Sequence, residues 1–138
     1  MNFFVLLNQT SFMRRLLFIF IIFLVGCRSH YTDAVMLLAP KGYTENLSDS
    51  IQLVDVRTPE EFAEGHIQHA VNINFHDEDF SSQIAELNKK RPVYVYCRSG
   101  KRSGKAAKEM VALGFTQVVN LKGGLLAWQE ARLPIVKD

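Results

Sequence analysis

From Val35 onward, apolar positions fall into short unbroken runs, separated by stretches where they recur at helical spacing. Residues 51–56 (Ile-Gln-Leu-Val-Asp-Val) are rich in aliphatic and β-branched side chains and predict a strand ending at Arg57-Thr58-Pro59. Thr58 can cap a helix, Pro59 suits its first position, and Glu60, Glu61 and Glu64 favour its positive end. A short helix over 59–64 follows, with Phe62 inward and Gly65 as its stop. Residues 71–74 predict a brief strand. Phe80, Ile84 and Leu87 recur at helical spacing through about 79–89, and Pro92 closes that unit. Val93-Tyr-Val-Tyr96 predicts a second strong strand, running directly into Cys97. Residues 103–113 predict a helix with Ala106, Ala107, Met110 and Val111 inward and Gly114 after it. Residues 118–121 predict a further strand, and Gly123-Gly124 opens a last helix carrying Leu125, Leu126 and Trp128. Continuous apolar strands alternating with helices predict the α/β class, a parallel sheet covered on both faces. No segment repeats, and none is of low complexity.

The first 26 residues follow a different pattern. Arg14-Arg15 precedes ten unbroken apolar residues, 16–25, and then Gly26 and Cys27. A positive region, a short apolar run and a small residue before the processing point match an export signal. Ten helical residues rise about 15 Å, roughly half the hydrocarbon thickness of a bilayer, which disfavours a spanning helix. Met13 directly precedes the arginines and offers an alternative start. Leu24-Val-Gly-Cys27 resembles a bacterial lipobox, which implies removal of 1–26 and lipidation at Cys27. Residues 27–34 would then be the lipidated N-terminus and tether, and 35–138 an exported domain held at a bacterial membrane, facing the periplasm or the cell exterior.

A chain of 138 residues with 48% hydrophobic side chains has room for one domain and can bury a core without disulfide or metal support. Of its 16 basic and 14 acidic residues, Arg14 and Arg15 fall in the leader, which has no acid; the rest is neutral. That balance excludes a nucleic-acid footprint. With Cys27 acylated, Cys97 is left as the single thiol, and an intramolecular disulfide is impossible. A lone cysteine in an oxidising compartment is a liability unless its reactivity is used.

In open α/β sheets ligands bind beyond the carboxyl ends of the strands. Two strands here end in reactive residues: Asp55-Val-Arg57 and Cys97-Arg-Ser-Gly-Lys-Arg102. A free cysteine alone is commonly buried and inert. This one is followed by Arg98, Ser99, Gly100, Lys101, Arg102 and Ser103, a glycine-containing cationic loop entering a helix near Ser103. Unpaired N–H groups at a helix start carry partial positive charge, and a loop curled over them makes an anion nest. A sulfur held there is expected to be more acidic than a free thiol, while Arg98, Lys101 and Arg102 can grip an anionic substrate.

These segments resemble the rhodanese homology domain. Leu53-Val-Asp-Val-Arg-Thr-Pro-Glu-Glu-Phe62, Gly65-His-Ile67 and Ala70-Val-Asn-Ile73 resemble its N-terminal motif. Tyr94-Val-Tyr-Cys-Arg-Ser-Gly-Lys-Arg-Ser103 resembles its active-site loop, and Asn120-Leu-Lys-Gly-Gly-Leu-Leu-Ala-Trp128 its C-terminal motif. The likeness spans roughly residues 39–133 in family order. It implies a parallel five-stranded sheet flanked by helices on both faces. It also implies transfer of sulfane sulfur, from a donor such as thiosulfate to a thiol acceptor, through a persulfide on Cys97. No cofactor or metal is implied, and the domain is expected to act as a monomer. Asp55 matches a strand-end aspartate that helps hold the loop. Arg57 matches a position that either lines the pocket or pairs with an acid, and His66 a structural one. A zinc site from His66, His69 and His76 lacks a second cysteine or carboxylate cluster. Trp128 is expected in the core.

Loop length separates enzymatic rivals. Related phosphatases of this fold close a seven-residue Cys-x5-Arg loop around a tetrahedral anion, whereas Cys97 to Arg102 is six residues, a ring suited to one sulfur atom. The three cations favour a dianion such as thiosulfate over a monoanion such as 3-mercaptopyruvate. A sulfur-carrying or redox-reading module that serves a partner protein is the alternative to a sulfurtransferase.

Overall fold

The structure, a computed structural model, describes residues 35–137. The expected signal peptide, the lipidation at Cys27 and the tether lie outside the described residues. Five parallel strands, β1 (Val35–Leu38), β2 (Gln52–Asp55), β3 (Val71–Asn72), β4 (Val93–Tyr96) and β5 (Val118–Leu121), form one sheet in the order β1-β5-β4-β2-β3. The intervening helices are α1 (Pro40–Glu45), α2 (Pro59–Ala63), α3 (Phe80–Ala85), α4 (Lys101–Ala112) and α5 (Gly124–Glu130). The α/β class and the five-stranded parallel sheet are those expected.

Alternation along each strand splits the core in two. Val54, Val93, Val95, Cys97 and Val118 face one side, where they meet Phe80 and Ile84 of α3 and Ala106, Ala107 and Met110 of α4. Leu53, Tyr94, Tyr96, Val119 and Leu121 face the other, against Tyr43 of α1 and Leu125 and Trp128 of α5. The Trp128 indole N–H donates to the Pro134 carbonyl at 2.9 Å, so this side chain is core with its polar atom satisfied.

Several elements differ from expectation. The apolar pattern sets no bounds for β1 and α1, because Val-Met-Leu-Leu lacks β-branched residues beyond Val35 and α1 carries Gly42 in its interior. The strand expected over 71–74 is recorded only as Val71–Asn72, although the Ile73 and Phe75 amides still donate to Asp55 and Val56 at 3.0 and 3.1 Å. The 79–89 helix shrinks to α3, with Leu87 half-buried in the turn after it. Of the apolar residues carried by the last helix, Leu125 and Trp128 are buried and Leu126 is 41% exposed. Phe62 is half-buried, its ring stacked on His66 with centroids 3.7 Å apart.

Candidate active site

β4 is the central strand, fully buried along its length, and the chain leaves its carboxyl end at Cys97. Helix α4 begins at Lys101, two residues before the expected start, so Lys101 and Arg102 lie on its first turn. The connection from strand to helix is therefore only residues 97–100. Gly100 makes this possible: it sits at φ +91, a left-handed conformation that side-chain-bearing residues rarely adopt. Its N–H turns back and donates to the Cys97 sulfur at 3.1 Å. The Ser103 hydroxyl, on the buried face of α4's first turn, reaches the same sulfur at 3.4 Å.

Burial pushes the Cys97 thiol up, but hydrogen bonds from the Ser103 hydroxyl and from the amides of Ser103, Ser99 and Gly100 outweigh it. The net result is a thiol more acidic than usual. Cys97 is 1% exposed.

A second helix start fixes the loop from the other side. The Leu125 and Leu126 amides, in the first turn of α5, donate to the Cys97 and Arg98 carbonyls at 2.8 and 3.0 Å. Gly124 lets the backbones approach: a Cβ there would lie 2.5 Å from the Cys97 oxygen and 2.6 Å from the Arg98 carbonyl carbon and oxygen. Asn120, projecting from β5 on the same face as Cys97, holds its amide nitrogen 3.5 Å from the Gly100 carbonyl. Two helix starts thus meet at one strand end, one directed at the sulfur and one at the carbonyls behind it.

The cations do not form one cluster of equals. Arg98 and Lys101 are exposed. Arg102 instead forms a bidentate pair with Glu61, each guanidinium nitrogen 2.7 Å from a carboxylate oxygen, while still interacting with the Cys97 sulfur. Glu61 is held in turn by the start of α2. Its amide donates to the Thr58 hydroxyl oxygen at 3.3 Å, and its carboxylate accepts from the Thr58 amide at 3.0 Å, a reciprocal capping box. The Arg102 hydrogen bond brings the Glu61 carboxyl down to about 2, so it is ionised throughout the neutral range. Of the three cations expected to grip substrate, one is already answered by a carboxylate.

Asp55 and Arg57 lie behind the loop rather than at its mouth. Asp55 is fully buried and accepts the Arg57 amide at 2.9 Å, its Nε at 3.0 Å and an Nη at 2.6 Å. The same Nη donates to the Gly65 carbonyl at 2.8 Å, tying the exit of β2 to the turn after α2. Asp55 also bonds the Tyr96 hydroxyl, which takes the Ile67 amide at 3.0 Å; burial, reinforced by Asp55, raises that phenol. Arg57 is thus an ion-pair residue here, and Asp55 reaches the loop only through Tyr96, the residue before Cys97. His66 is buried beside Phe62, with its Nδ1 3.1 Å from the Phe62 carbonyl. Among the described residues no group of three or more His, Cys, Asp and Glu side chains is placed to hold a metal ion. A cleft of about 500 Å³ lined by Leu47, Ile51, Leu53, Ile67, His69 and Trp128 includes no residue of the Cys97 loop.

In the sequence alone Glu61 is only a charge at a helix start, and Asn120 and Gly124 have no evident role at the loop. The capping pattern around Glu61 was visible, but its partner lies 41 residues away.

A parallel sheet in this order with a cysteine cradled at its central strand end defines a rhodanese-type fold. Residues 39–131 match the rhodanese-like domain, and the chain belongs to that family. It is similar to a sulfurtransferase of Allochromatium vinosum, 40% identical over 89 residues that cover 64% of this chain and 81% of that protein. Thiosulfate sulfurtransferase GlpE of Shewanella oneidensis is 39% identical over 82 residues, 59% of this chain and 79% of that protein. In two other relatives the match spans 59% and 60% of their length. Among solved structures, a rhodanese-related protein of Thermoplasma volcanium is similar with a TM-score of 0.67 at 26% identity, covering 75% of this chain and 99% of that one. The family and its sulfurtransferase members connect the chain with sulfur transfer as a class of chemistry.

Proposed function

We propose that the domain is a sulfurtransferase in which Cys97 carries sulfane sulfur from a small donor to a thiol acceptor. The observation that carries this reading is the donation of the Gly100 amide and the Ser103 hydroxyl to the Cys97 sulfur at the start of α4. The Cys97 thiolate attacks the outer sulfur of a donor such as thiosulfate. The donor's S–S bond breaks, sulfite leaves with the bonding pair, and the sulfur remains on Cys97 as an anionic persulfide. An acceptor thiolate (cyanide in an assay) then attacks the outer persulfide sulfur and returns Cys97 as thiolate. No electron is gained or lost overall, so no redox cofactor is needed. This is nucleophilic catalysis dividing one transfer into two displacements.

Negative charge rests on sulfur in every state of this cycle. Amides aimed at that position are therefore of use throughout, in the manner of an oxyanion hole. The persulfide extends outward from a buried Cys97, which puts its reactive sulfur toward the loop mouth, where Arg98 and Lys101 stand. Conversion of thiosulfate and cyanide to sulfite and thiocyanate tests the reading. Cys97→Ser is expected to lower turnover by at least about a thousandfold, since the weakly acidic hydroxyl cannot substitute for a thiolate. Turnover that survives this change within tenfold would remove Cys97 from the reaction.

A further inference from the structure

We propose that Glu61 is a charge filter at the mouth of the Cys97 loop. By pairing with Arg102 it cancels one of three cations and favours donors carrying at most one negative charge, such as a hydropersulfide or thiosulfonate, over the thiosulfate dianion. The donor classes rest on the sulfur-transfer reading; the filter itself is a property of the approach to Cys97.

The geometry separates this pair from an ordinary surface ion pair. Both guanidinium ends are engaged at 2.7 Å, and the partners are about three-quarters buried, with side-chain exposures of 22% and 27%. The carboxylate is not a mobile arm, because the capping box fixes it to the first turn of α2. Arg102 meanwhile keeps its interaction with the Cys97 sulfur. An incoming anion therefore meets a guanidinium whose charge is already balanced, beside a fixed carboxylate, and finds free cations only in the exposed Arg98 and Lys101. Glu61 is a positioning residue: it touches neither the sulfur nor, in this reading, the donor.

Coulomb work scales with the charge of the approaching reagent, so the filter leaves a signature in the ratio between reagents. Glu61→Gln is the informative change, because glutamine at the third helical position preserves the capping box and can still accept from Arg102. Alkylation of Cys97 by neutral iodoacetamide reports thiolate reactivity, and alkylation by iodoacetate reports the same chemistry with one negative charge. Glu61→Gln is expected to raise the iodoacetate-to-iodoacetamide rate ratio by about threefold, and the loading rate from thiosulfate, on the same normalisation, by about tenfold. Arg102→Gln, which leaves the carboxylate unopposed, is expected to lower the alkylation ratio by about threefold, and the double variant to restore it. A purely structural role would move both reagents equally.

A ratio that ignores Glu61 and Arg102, or moves in the opposite direction, overturns the filter even if the protein loads sulfur normally. The reverse result is separable. If the alkylation ratios follow the charges while no sulfane donor loads wild-type Cys97, the filter stands and the sulfurtransferase reading falls.

Discussion

Asp55→Ala is expected to destabilise the domain by about 3–5 kcal/mol, the cost of leaving a buried charge without its partner. Asp55 is completely buried, and the Arg57 side chain bound to it is only 6% exposed. The carboxylate receives bonds from the Arg57 amide, Nε and Nη, so its removal leaves a buried positive charge without its counter-charge. Total stabilities of such domains are about 5–15 kcal/mol, so this one change removes a large share. Urea unfolding at unchanged slope measures it. Joint replacement Asp55→Leu with Arg57→Met should cost less than Asp55→Ala alone, because no charge is left buried. A loss below about 1 kcal/mol for Asp55→Ala would mean that water reaches the pair and that this description of its burial is wrong.

Gly124→Ala is expected to lower sulfur transfer about a hundredfold while leaving the sheet intact, as displacement of a reacting group by an ångström suffices for such a loss. The added Cβ would lie 2.5–2.6 Å from backbone atoms of Cys97 and Arg98, and Gly124 sits at φ +59. Neither obstacle is the flexible end of a side chain. The loop must therefore shift, and the amides aimed at the sulfur shift relative to it. Gly114→Ala is the control, since its φ of +95 brings comparable backbone strain with nothing within 4 Å. It should weaken the fold slightly and spare the activity. Equal activities for the two variants would show that α5 does not hold the loop in place.

Much of the site was legible because its parts are local. The apolar run Val93-Tyr-Val-Tyr96, the glycine at 100 and the helical spacing after it specify strand, turn and helix in eleven or so consecutive positions, each by its own chemistry. What was not legible depends on tertiary contact. The role of Arg102 as an ion-pair partner requires α2 to stand beside α4, and the sequence between them gives no measure of that distance. Leu126 fits an amphipathic helix, yet lies exposed while Leu125 and Trp128 of the same helix are buried. Asn120 reads as a blemish in an apolar strand until Gly100 is seen opposite it.

The same contrast changes the reading of substrate charge. Three cations in six residues suggest a site built to attract a dianion. With Arg102 paired to Glu61, the attraction falls to Arg98 and Lys101, which water screens. The acidity of the Cys97 thiol then rests chiefly on oriented amides and one hydroxyl.

The proposed sulfur transfer requires that this strand end hold Cys97 as a thiolate able to carry one sulfur atom. Intact mass spectrometry of the reduced full chain, after brief exposure to thiosulfate across a series of pH values, tests it directly. A gain of one sulfur at Cys97 is expected, absent from Cys97→Ser, with half-maximal loading below the free-cysteine value of about 8.5. No mass gain from thiosulfate or any other sulfane donor, or a gain that appears only above that pH, would contradict it.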